Sequence, residues 1–458
     1  MACPPNVNPW LCEKLKQMGV IKDPPGSPSG PMLSLLIQIE PKAANDVIAT
    51  LRKMGLSPSQ PFFFGQFIEV EAPAALVPAI AQVPGAVKVN YNMPVRIPSV
   101  SASYVIPPFP VLPQAPINPP PSISPLAAND KFIPTSVARQ VMGLPEDNVL
   151  RNTLVAVLDT GGPWPWHPQV QGLTEVAMSF VPFEPSPLDG HGHGSWCTTA
   201  AIGREANTTY GLVKGAATAG SKVIFAKVLG NLGMGQTSWI IKGMEWAYLQ
   251  GAKVISMSLG GEPQGGVDDD PFCQVINTLY KVGVYTVIAS GDSGPDLWTL
   301  DSPGFCPNAL TVGAYVITDN DISWFSSNGP SARWYKEHPQ DWERDYARYG
   351  DLIVKPDVVA PGGGRKEERL RPWEYIYSGC TGYFCGTYSG SLMLGYPYEG
   401  LMGTSQATPL VAGAVALAFD RGLISSIDDV KNRMKAAWGK EKDPRWGWGL
   451  FRWQVIAG

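Results

Sequence analysis

The fold is decided by a short apolar run, Thr153-Leu-Val-Ala-Val-Leu158, which is followed at once by Asp159. A continuous apolar run of this length is typical of a strand that is buried on both faces, as in parallel sheets. Four similar apolar runs follow, at 223–228, 253–257, 284–289 and 309–314. Helical stretches separate them, such as 238–250. The sequence therefore predicts an α/β domain over residues 129–458, with a parallel sheet flanked by helices.

A smaller unit precedes this domain. Strand patterns at 33–39, 62–70 and 87–91 alternate with helix patterns at 41–54 and 74–83. This split β-α-β order is typical of a small ferredoxin-like α+β domain, which we expect at residues 32–97. Residues 1–31 show no clear period, so we expect them to form an irregular N-terminal arm.

A proline-rich segment separates the two units. Between Pro98 and Pro125 ten residues are proline. Such a segment is extended, poorly packed and open to proteases, and it typically marks a domain boundary. We therefore interpret residues 98–128 as a linker.

The composition limits the classes of partner. A net charge of −4 over 458 residues argues against nucleic acid as a partner. No apolar run reaches the roughly 18 residues that a membrane-spanning helix needs. Met1 to Val20 carry Pro, Asn and Lys where a signal peptide needs an apolar core. Export would then use another route or a signal removed before residue 1, and an intracellular location stays open.

The seven cysteines bear on the compartment. Three bridges would pair Cys3 with Cys12, Cys273 with Cys306 and Cys380 with Cys385, which leaves Cys197. Sequence alone does not fix connectivity, and buried free thiols are the alternative. Disulfides would indicate an oxidising compartment or a hyperthermophile. On this ground we favour an extracellular location.

Three polar residues stand at strand ends or helix starts, where chemistry is expected. Asp159 follows its strand, His193 lies in Asp189-Gly-His191-Gly-His193-Gly-Ser195, and Ser405 lies in Gly403-Thr-Ser405-Gln-Ala-Thr-Pro409. The carboxyl ends of parallel strands form the ligand-binding edge of such a sheet, so these residues can meet there. Each alone has an ordinary explanation, as a turn residue, a loop histidine or an N-cap serine. Together they follow an order, Asp then His then Ser, that is known from convergent catalytic triads.

These three segments resemble the signature blocks of the subtilisin family of serine proteases. Two further segments are similar to that family, Lys227-Val-Leu-Gly-Asn-Leu-Gly-Met-Gly235 and Ile255-Ser-Met-Ser258-Leu-Gly-Gly261. The resemblance covers roughly residues 129–458. It implies a serine endopeptidase that hydrolyses peptide bonds through an acyl-enzyme, with Asp159, His193 and Ser405 as the triad.

The resemblance also implies individual roles. His193 would be general base and then general acid, and Ser405 would attack the scissile carbonyl. Substrate would be added as a strand between two edge segments. These segments are Gly233-Met234-Gly235 and Ser258-Leu259-Gly260.

Two residues close to His193 in the sequence can be interpreted in more than one way. His191 would be a surface loop histidine, or it could join His193 in a metal-dependent hydrolase, although no further ligands lie at a usual spacing. Cys197 matches the proteinase K branch of the family, where a cysteine lies beneath the catalytic histidine. We expect it to be a small buried hydrophobic residue.

One position departs from the family pattern. The family normally has an asparagine in its oxyanion hole, whereas this sequence has Asp292 in Ala289-Ser-Gly-Asp292-Ser-Gly294. The Ser-Gly-Asp block looks like that of the sedolisins, which use an aspartate at low pH. A protonated carboxyl can donate to the oxyanion, whereas an ionised one repels it. We therefore expect Asp292 and the Ser405 N–H to form the hole, with an acid-tolerant enzyme and a mildly acidic optimum.

Two alternatives follow from this departure. Asp292 could point elsewhere and leave the Ser405 N–H alone in the hole. The chain could also be a relative that binds peptides without cleaving them, which the intact triad disfavours.

Residues 32–97 resemble the propeptide of subtilisin-type enzymes. This resemblance implies a self-processing zymogen whose propeptide acts as folding chaperone and inhibitor, and a permanent partner-binding module is the alternative. No cofactor is expected to be required, and we expect a monomer whose partners are polypeptide substrates and its own propeptide. Asp268-Asp269-Asp270 could supply oxygen ligands to a structural calcium ion, or could form a solvated acidic turn. Insertions at 333–349 and 365–399 could shape specificity or add stability.

Overall fold

The structure, a computed structural model, describes residues 3–20, 30–98, 130–383, 385–386 and 397–458. Nearly all of the predicted linker at 98–128 lies outside the described residues. Helices and strands of the N-terminal unit are α1 (Pro9–Gln17), β1 (Met32–Ile39), α2 (Ala44–Lys53), β2 (Phe67–Pro73), α3 (Val77–Ala81), β3 (Ala86–Tyr91) and β4 (Pro94–Arg96).

The N-terminal unit has a three-stranded antiparallel sheet in the order β2-β1-β3. Strands and helices alternate as predicted, but a ferredoxin-like sheet has a fourth strand. Among the described residues, the next strand, β4, pairs with the larger domain instead. The unit therefore differs from the predicted ferredoxin-like fold at its last strand.

The N-terminal arm is not irregular throughout, because Pro9–Gln17 forms a helix. The Asn8 side chain accepts the backbone N–H groups of Trp10 and Leu11 at 3.0 and 3.4 Å, and Pro9 suits a first helical position. Leu11 and Leu15, one turn apart, are buried against the core of the N-terminal unit. In the sequence, the buried face of this helix shows as a single apolar pair one turn apart. That pattern is too short to predict a helix.

Strand β2 begins later than the predicted Phe62. Phe63 and Phe64 instead form a turn with φ of 51° and 56°. Their backbone N–H groups donate to the carboxylate of Glu245 at 2.8 and 2.7 Å. The turn therefore serves a contact with the larger domain, which a strand pattern cannot reveal.

The larger domain contains the predicted parallel sheet. Its strands are β5 (Lys131–Pro134), β6 (Val149–Leu150), β7 (Val155–Asp159), β8 (Thr174–Ser179), β9 (Ala206–Thr208), β10 (Gly211–Val213), β11 (Thr218–Ala219), β12 (Lys222–Lys227), β13 (Met234–Gln236), β14 (Val254–Met257), β15 (Tyr285–Ala289), β16 (Ala309–Val316), β17 (Asp321–Ile322), β18 (Val358–Pro361), β19 (Glu374–Gly379) and β20 (Tyr398–Leu401). The main sheet has the order β17-β16-β15-β14-β7-β12-β8, and β18 also pairs with β16. Only the short β17 runs antiparallel to its neighbour in this sheet.

Helices cover both faces of this sheet. They are α4 (Thr135–Val141), α5 (His193–Ile202), α6 (Thr237–Leu249), α7 (Pro271–Lys281), α8 (Arg333–Glu337), α9 (Pro339–Tyr349), α10 (Thr404–Asp420), α11 (Ile427–Trp438) and α12 (Trp453–Ala457). In β7, Val155 and Val157 pack in the same core as α5 and α10, whereas Ala156 and Leu158 pack in the core of α6 and α7. The prediction of an α/β fold with strands buried on both faces is confirmed.

The structure has the three expected disulfides. They join Cys3 to Cys12, Cys273 to Cys306 and Cys380 to Cys385. Cys197 is free and buried. Within the described ranges, the search for a helix long and apolar enough to span a membrane finds none.

Candidate active site

The fold brings the predicted Asp159 and His193 together at the carboxyl edge of the sheet. Asp159 is the last residue of β7 and His193 the first of α5, and both are buried. His193 Nδ1 lies 2.8 Å from Asp159 Oδ1. A carboxylate at that distance fixes the orientation of the imidazole and stabilises its charged form.

Ser405 is the second residue of α10 and lies close to this pair. The Sγ atom of Cys197 lies 3.8 Å from His193 Nδ1 and 3.7 Å from the carbonyl oxygen of Ser405, so both residues pack on one thiol. Ser405 Oγ donates to the carbonyl oxygen of Ser258 at 3.4 Å. His193 Nε2 is buried without a hydrogen-bond partner among the described residues. Catalytic hydrogen bonds are often loose before substrate binds, and the free Nε2 can accept the serine proton.

The environment of His193 favours its charged form. Burial opposes charging of the ring, but the adjacent Asp159 carboxylate outweighs burial and raises the pKa of His193 well above its ordinary value. Burial also raises the pKa of the Cys197 thiol. Cys197 thus lies beneath the histidine as a neutral, buried group, as the sequence predicted.

Asp189 organises the turn before α5, a role that sequence reasoning missed. Its Oδ1 accepts the backbone N–H groups of His191 and Gly192 at 2.9 Å, and its Oδ2 accepts that of Ser195 at 2.7 Å. Oδ1 also accepts the Thr160 hydroxyl at 2.9 Å, which ties the turn to the residue after Asp159. The sequence did contain a sign of this role. Asp189 lies close before the start of α5, where a carboxylate commonly accepts backbone N–H groups.

A disulfide covers the residue that precedes His193. The backbone of Gly192 has a positive φ of 114°, a conformation that glycine adopts more easily than other residues. A Cβ on Gly192 would lie 2.8 Å from Cys385 Sγ and 3.0 Å from Cys380 Sγ. The insertion at 365–399 therefore reaches the active site through this bridge, and the part of it at 387–396 lies outside the described residues.

His191 is not the surface loop histidine that the sequence suggested. Its ring is partly buried, and its Nδ1 accepts the backbone N–H of His193 at 3.3 Å. Burial lowers the pKa of His191 to about 4, with the Asp189 charge opposing that shift and the His193 charge adding to it. Within the described ranges, the cluster of three ligand groups at this site consists of Asp159, His193 and Cys197, without His191. The geometry thus gives no support to a metal site on the two histidines.

Asp292 lies behind the start of α10. Its Oδ1 accepts both the backbone N–H and the hydroxyl of Thr404 at 2.8 Å. Its Oδ2 is buried and has no partner among the described residues. A Cβ on Gly403 would lie 2.9 Å from Oδ2, so this oxygen faces the turn that carries Ser405. Burial raises the pKa of Asp292 to about 6, against the opposing effects of Thr404 and of the His193 charge.

The last residues of the N-terminal unit, 94–97, fill the predicted substrate cleft. Strand β4 pairs antiparallel with β13, with Arg96 opposite Met234 and Val95 opposite Gly235. On the other side, Arg96 exchanges two backbone hydrogen bonds of 2.9 Å with Gly260. The Ile97 N–H donates to the carbonyl oxygen of Gly233 at 3.0 Å.

The second edge segment contributes mainly its backbone. The Leu259 side chain is buried in the core and does not line the cleft. The Ser258 hydroxyl donates to the carbonyl oxygen of Ser405 at 3.0 Å. The cleft therefore binds an extended chain through main-chain groups, as in strand addition.

The three aspartates of the acidic run have separate protein partners. Asp268 contacts Arg348 at 2.6 Å and the Tyr349 hydroxyl at 2.7 Å, and Asp269 pairs with Lys88. Asp270 caps α7. The run is therefore not a solvated turn, and its contacts give no support to a calcium site. The insertion at 333–349 forms α8 and α9, and its contact with Asp268 ties it to this run.

Comparison with known proteins identifies relatives of the larger domain. Residues 151–449 match the model of the subtilase family, Peptidase S8. The serine protease AprX of Bacillus subtilis is 30% identical over 329 residues, which cover 69% of this chain and 67% of that protein. Subtilisin Savinase of Lederbergia lenta is 32% identical over 61% of this chain and 81% of its own length. Thermitase of Thermoactinomyces vulgaris is 30% identical over 59% of this chain and 76% of its own length.

Proposed function

This chain belongs to the subtilase family and is a serine endopeptidase that acts on polypeptides, and we propose that Asp159, His193 and Ser405 are its catalytic triad. The observation that carries this proposal is the 2.8 Å contact between His193 Nδ1 and Asp159 Oδ1, which leaves Nε2 free. Nε2 takes the proton of Ser405 Oγ as the oxygen attacks the scissile carbonyl. His193 then gives that proton to the leaving amine, and water hydrolyses the acyl-enzyme by the same route.

Asp292 and the Ser405 backbone N–H stabilise the oxyanion in this proposal. The support is the geometry of Asp292, whose Oδ1 is held by Thr404 while its buried Oδ2 lacks a partner. With its pKa raised to about 6, Asp292 retains a proton under mildly acidic conditions and can donate it in a hydrogen bond. Acid conditions therefore favour the oxyanion side, because the protonated form is the one that stabilises negative charge on the carbonyl oxygen, while the need for a neutral His193 sets the acid limit.

The N-terminal unit acts as an inhibitory propeptide, so the chain is a self-processing zymogen. Support comes from residues 94–97, which pair with both edges of the cleft and exclude substrate from it. Glu245 adds an anchor, since its carboxylate accepts two backbone N–H groups of the N-terminal unit. Cleavage within the Pro-rich linker at 98–128 would free the unit, and the length of the linker would let the tail leave the cleft.

The remaining proposals concern the cofactors, the cellular location and the oligomeric state. Family members need no organic cofactor, and structural calcium is a proposal for which the acidic run at 268–270 offers no support. The three disulfides support an extracellular location. We propose a monomer, because both the triad and its inhibitory segment come from one chain.

One experiment tests the function. The purified chain and Ser405→Ala are incubated over a range of pH, treated with a fluorophosphonate and examined by mass spectrometry. We expect self-cleavage within the linker at 98–128 and labelling of Ser405 in the unchanged chain, and neither in Ser405→Ala. Equal labelling of both chains, or peptide binding without labelling or cleavage, would contradict the proposal.

A further inference from the structure

A second carboxylate lies at the substrate cleft, on Asp301. A Cβ on Gly260 would lie 2.9 Å from Asp301 Oδ2, and a Cβ on Gly291 would lie 2.7 Å from the same atom. The carboxylate therefore contacts two glycines, one in each of two backbone segments that follow β14 and β15. Because neither glycine has a side chain, nothing on them covers the carboxylate.

These two glycines flank the place of one substrate residue. Gly260 exchanges two backbone hydrogen bonds with Arg96 of the bound tail, so it pairs with the chain that leads to the scissile bond. Gly291 directly precedes Asp292, which faces the turn that carries Ser405. The residue that supplies the scissile carbonyl must lie between them, because its oxygen has to reach the oxyanion hole. Its side chain then extends toward Asp301.

No cation contacts the carboxylate of Asp301 directly among the described residues. Among the described residues it has no hydrogen bond or ion pair, although the side chain is only partly exposed. Burial, with smaller contributions from the charges of Asp292 and Glu262, raises the pKa of Asp301 to about 7, against the opposing charge of Arg96. A partly buried, unpaired acid among acidic neighbours is stabilised by a cationic ligand.

We propose that Asp301 makes this protease select substrates with lysine or arginine immediately before the scissile bond. The inference rests on the proposed function, since it assigns the specificity of the same cleft. A guanidinium or ammonium group beside Asp301 would lower its pKa and form charge-assisted hydrogen bonds with the resulting carboxylate, which a neutral side chain cannot form.

Beyond Arg96, which pairs with Gly260, the tail offers no cationic side chain. Pro98 follows Ile97 there, and no Lys or Arg occurs between Arg96 and Lys131. The linker thus offers no cationic side chain before any bond that could be cut. We expect the enzyme to cleave this segment slowly, which suits an inhibitor. A first cut in this region relies on tethering, which holds the segment at an effective concentration on the order of mM.

The test compares substrates that differ by one charge. Two fluorogenic peptides are identical except for arginine or citrulline, its neutral isostere, before the scissile bond. For the processed enzyme we expect kcat/KM to be about 10- to 100-fold higher for arginine, the size of a charge-assisted pair. In Asp301→Asn this ratio should fall toward one. In the matched variant Glu262→Gln, which removes an acidic neighbour, it should stay well above one.

Two outcomes would overturn the inference in different ways. If the enzyme cleaves both peptides with equal kcat/KM, Asp301 does not select a cation, while the protease function stands. If Ser405 is not labelled and no peptide is cut, both proposals fail together. Should Asp301→Asn not fold, the cleavage sites of the unchanged enzyme in a denatured protein still decide, because cuts that do not follow Lys or Arg contradict the inference.

Discussion

The two sides of the candidate active site are built differently. On the base side, His193 is held by Asp159, and its helix start is fixed by four hydrogen bonds to Asp189. On the oxyanion side, Asp292 has one oxygen held by Thr404 and the other buried without a partner among the described residues. The base side thus follows the family pattern, whereas the oxyanion side, as proposed, would depend on the protonation of a carboxyl group.

This difference sets the dependence on pH. The proposed mechanism needs a neutral His193 and a protonated Asp292 at the same time, so the two groups together must hold one proton, and it must be on Asp292. Burial raises the pKa of Asp292 to about 6, and Asp159 raises the pKa of His193 well above its ordinary value. At low pH both groups are protonated and His193 cannot act as a base, and at high pH both have lost their protons and Asp292 repels the oxyanion. A bell-shaped profile follows, and its two limbs belong to the coupled pair.

The largest effect should come from the base side. His193→Ala removes the proposed acceptor of the Ser405 proton, so we expect kcat to fall by about 10⁶-fold. Peptidase assays measure the change after each variant has been processed by added unchanged enzyme, which is then removed. His191→Ala is the matched control, because its ring accepts a hydrogen bond from the His193 backbone but does not hold Asp159. If His191→Ala lost as much activity as His193→Ala, the assignment of the base would be wrong.

A smaller effect should follow when the base is displaced but kept. Asp189→Ala removes four hydrogen bonds that position the start of α5. We expect kcat/KM to fall by about 10²-fold, the size of a displacement of roughly 1 Å. The pH of the optimum should stay where it is, because both titrating groups remain. An unchanged kcat/KM in a folded Asp189→Ala enzyme would show that the turn does not position His193.

The sequence predicted the base side better than the oxyanion side and the propeptide contacts. Asp159 and His193 stand beside a buried strand and a helix start, where local patterns show them. Asp301 and Glu245 act on glycines and backbone groups distant in sequence, and no local pattern marks such contacts. The turn at Phe63 was missed for the same reason, since its amides bind Glu245 across the interface.

The weakest of these effects concerns the N-terminal unit, away from the chemistry. Glu245→Gln replaces the carboxylate that accepts two backbone N–H groups of that unit. We expect the unit to leave the catalytic domain about tenfold faster, since hydrogen bonds to a charged group are stronger than those to a neutral one. The lag before activity appears in freshly folded zymogen measures this change. Lys242→Met, which removes an ion pair of 2.8 Å with Glu69, is a control at the same interface. A lag that Glu245→Gln leaves unchanged would argue against an anchoring role.

The most direct test of the account is the pH profile of kcat/KM for the unchanged enzyme and for Asp292→Asn. An asparagine donates its amide hydrogen at every pH, so the oxyanion side no longer titrates. We predict a bell-shaped profile for the unchanged enzyme, and for Asp292→Asn a profile that keeps the acid limb of His193 and loses the alkaline limb. Two profiles of the same shape would contradict the claim that a protonated Asp292 stabilises the oxyanion.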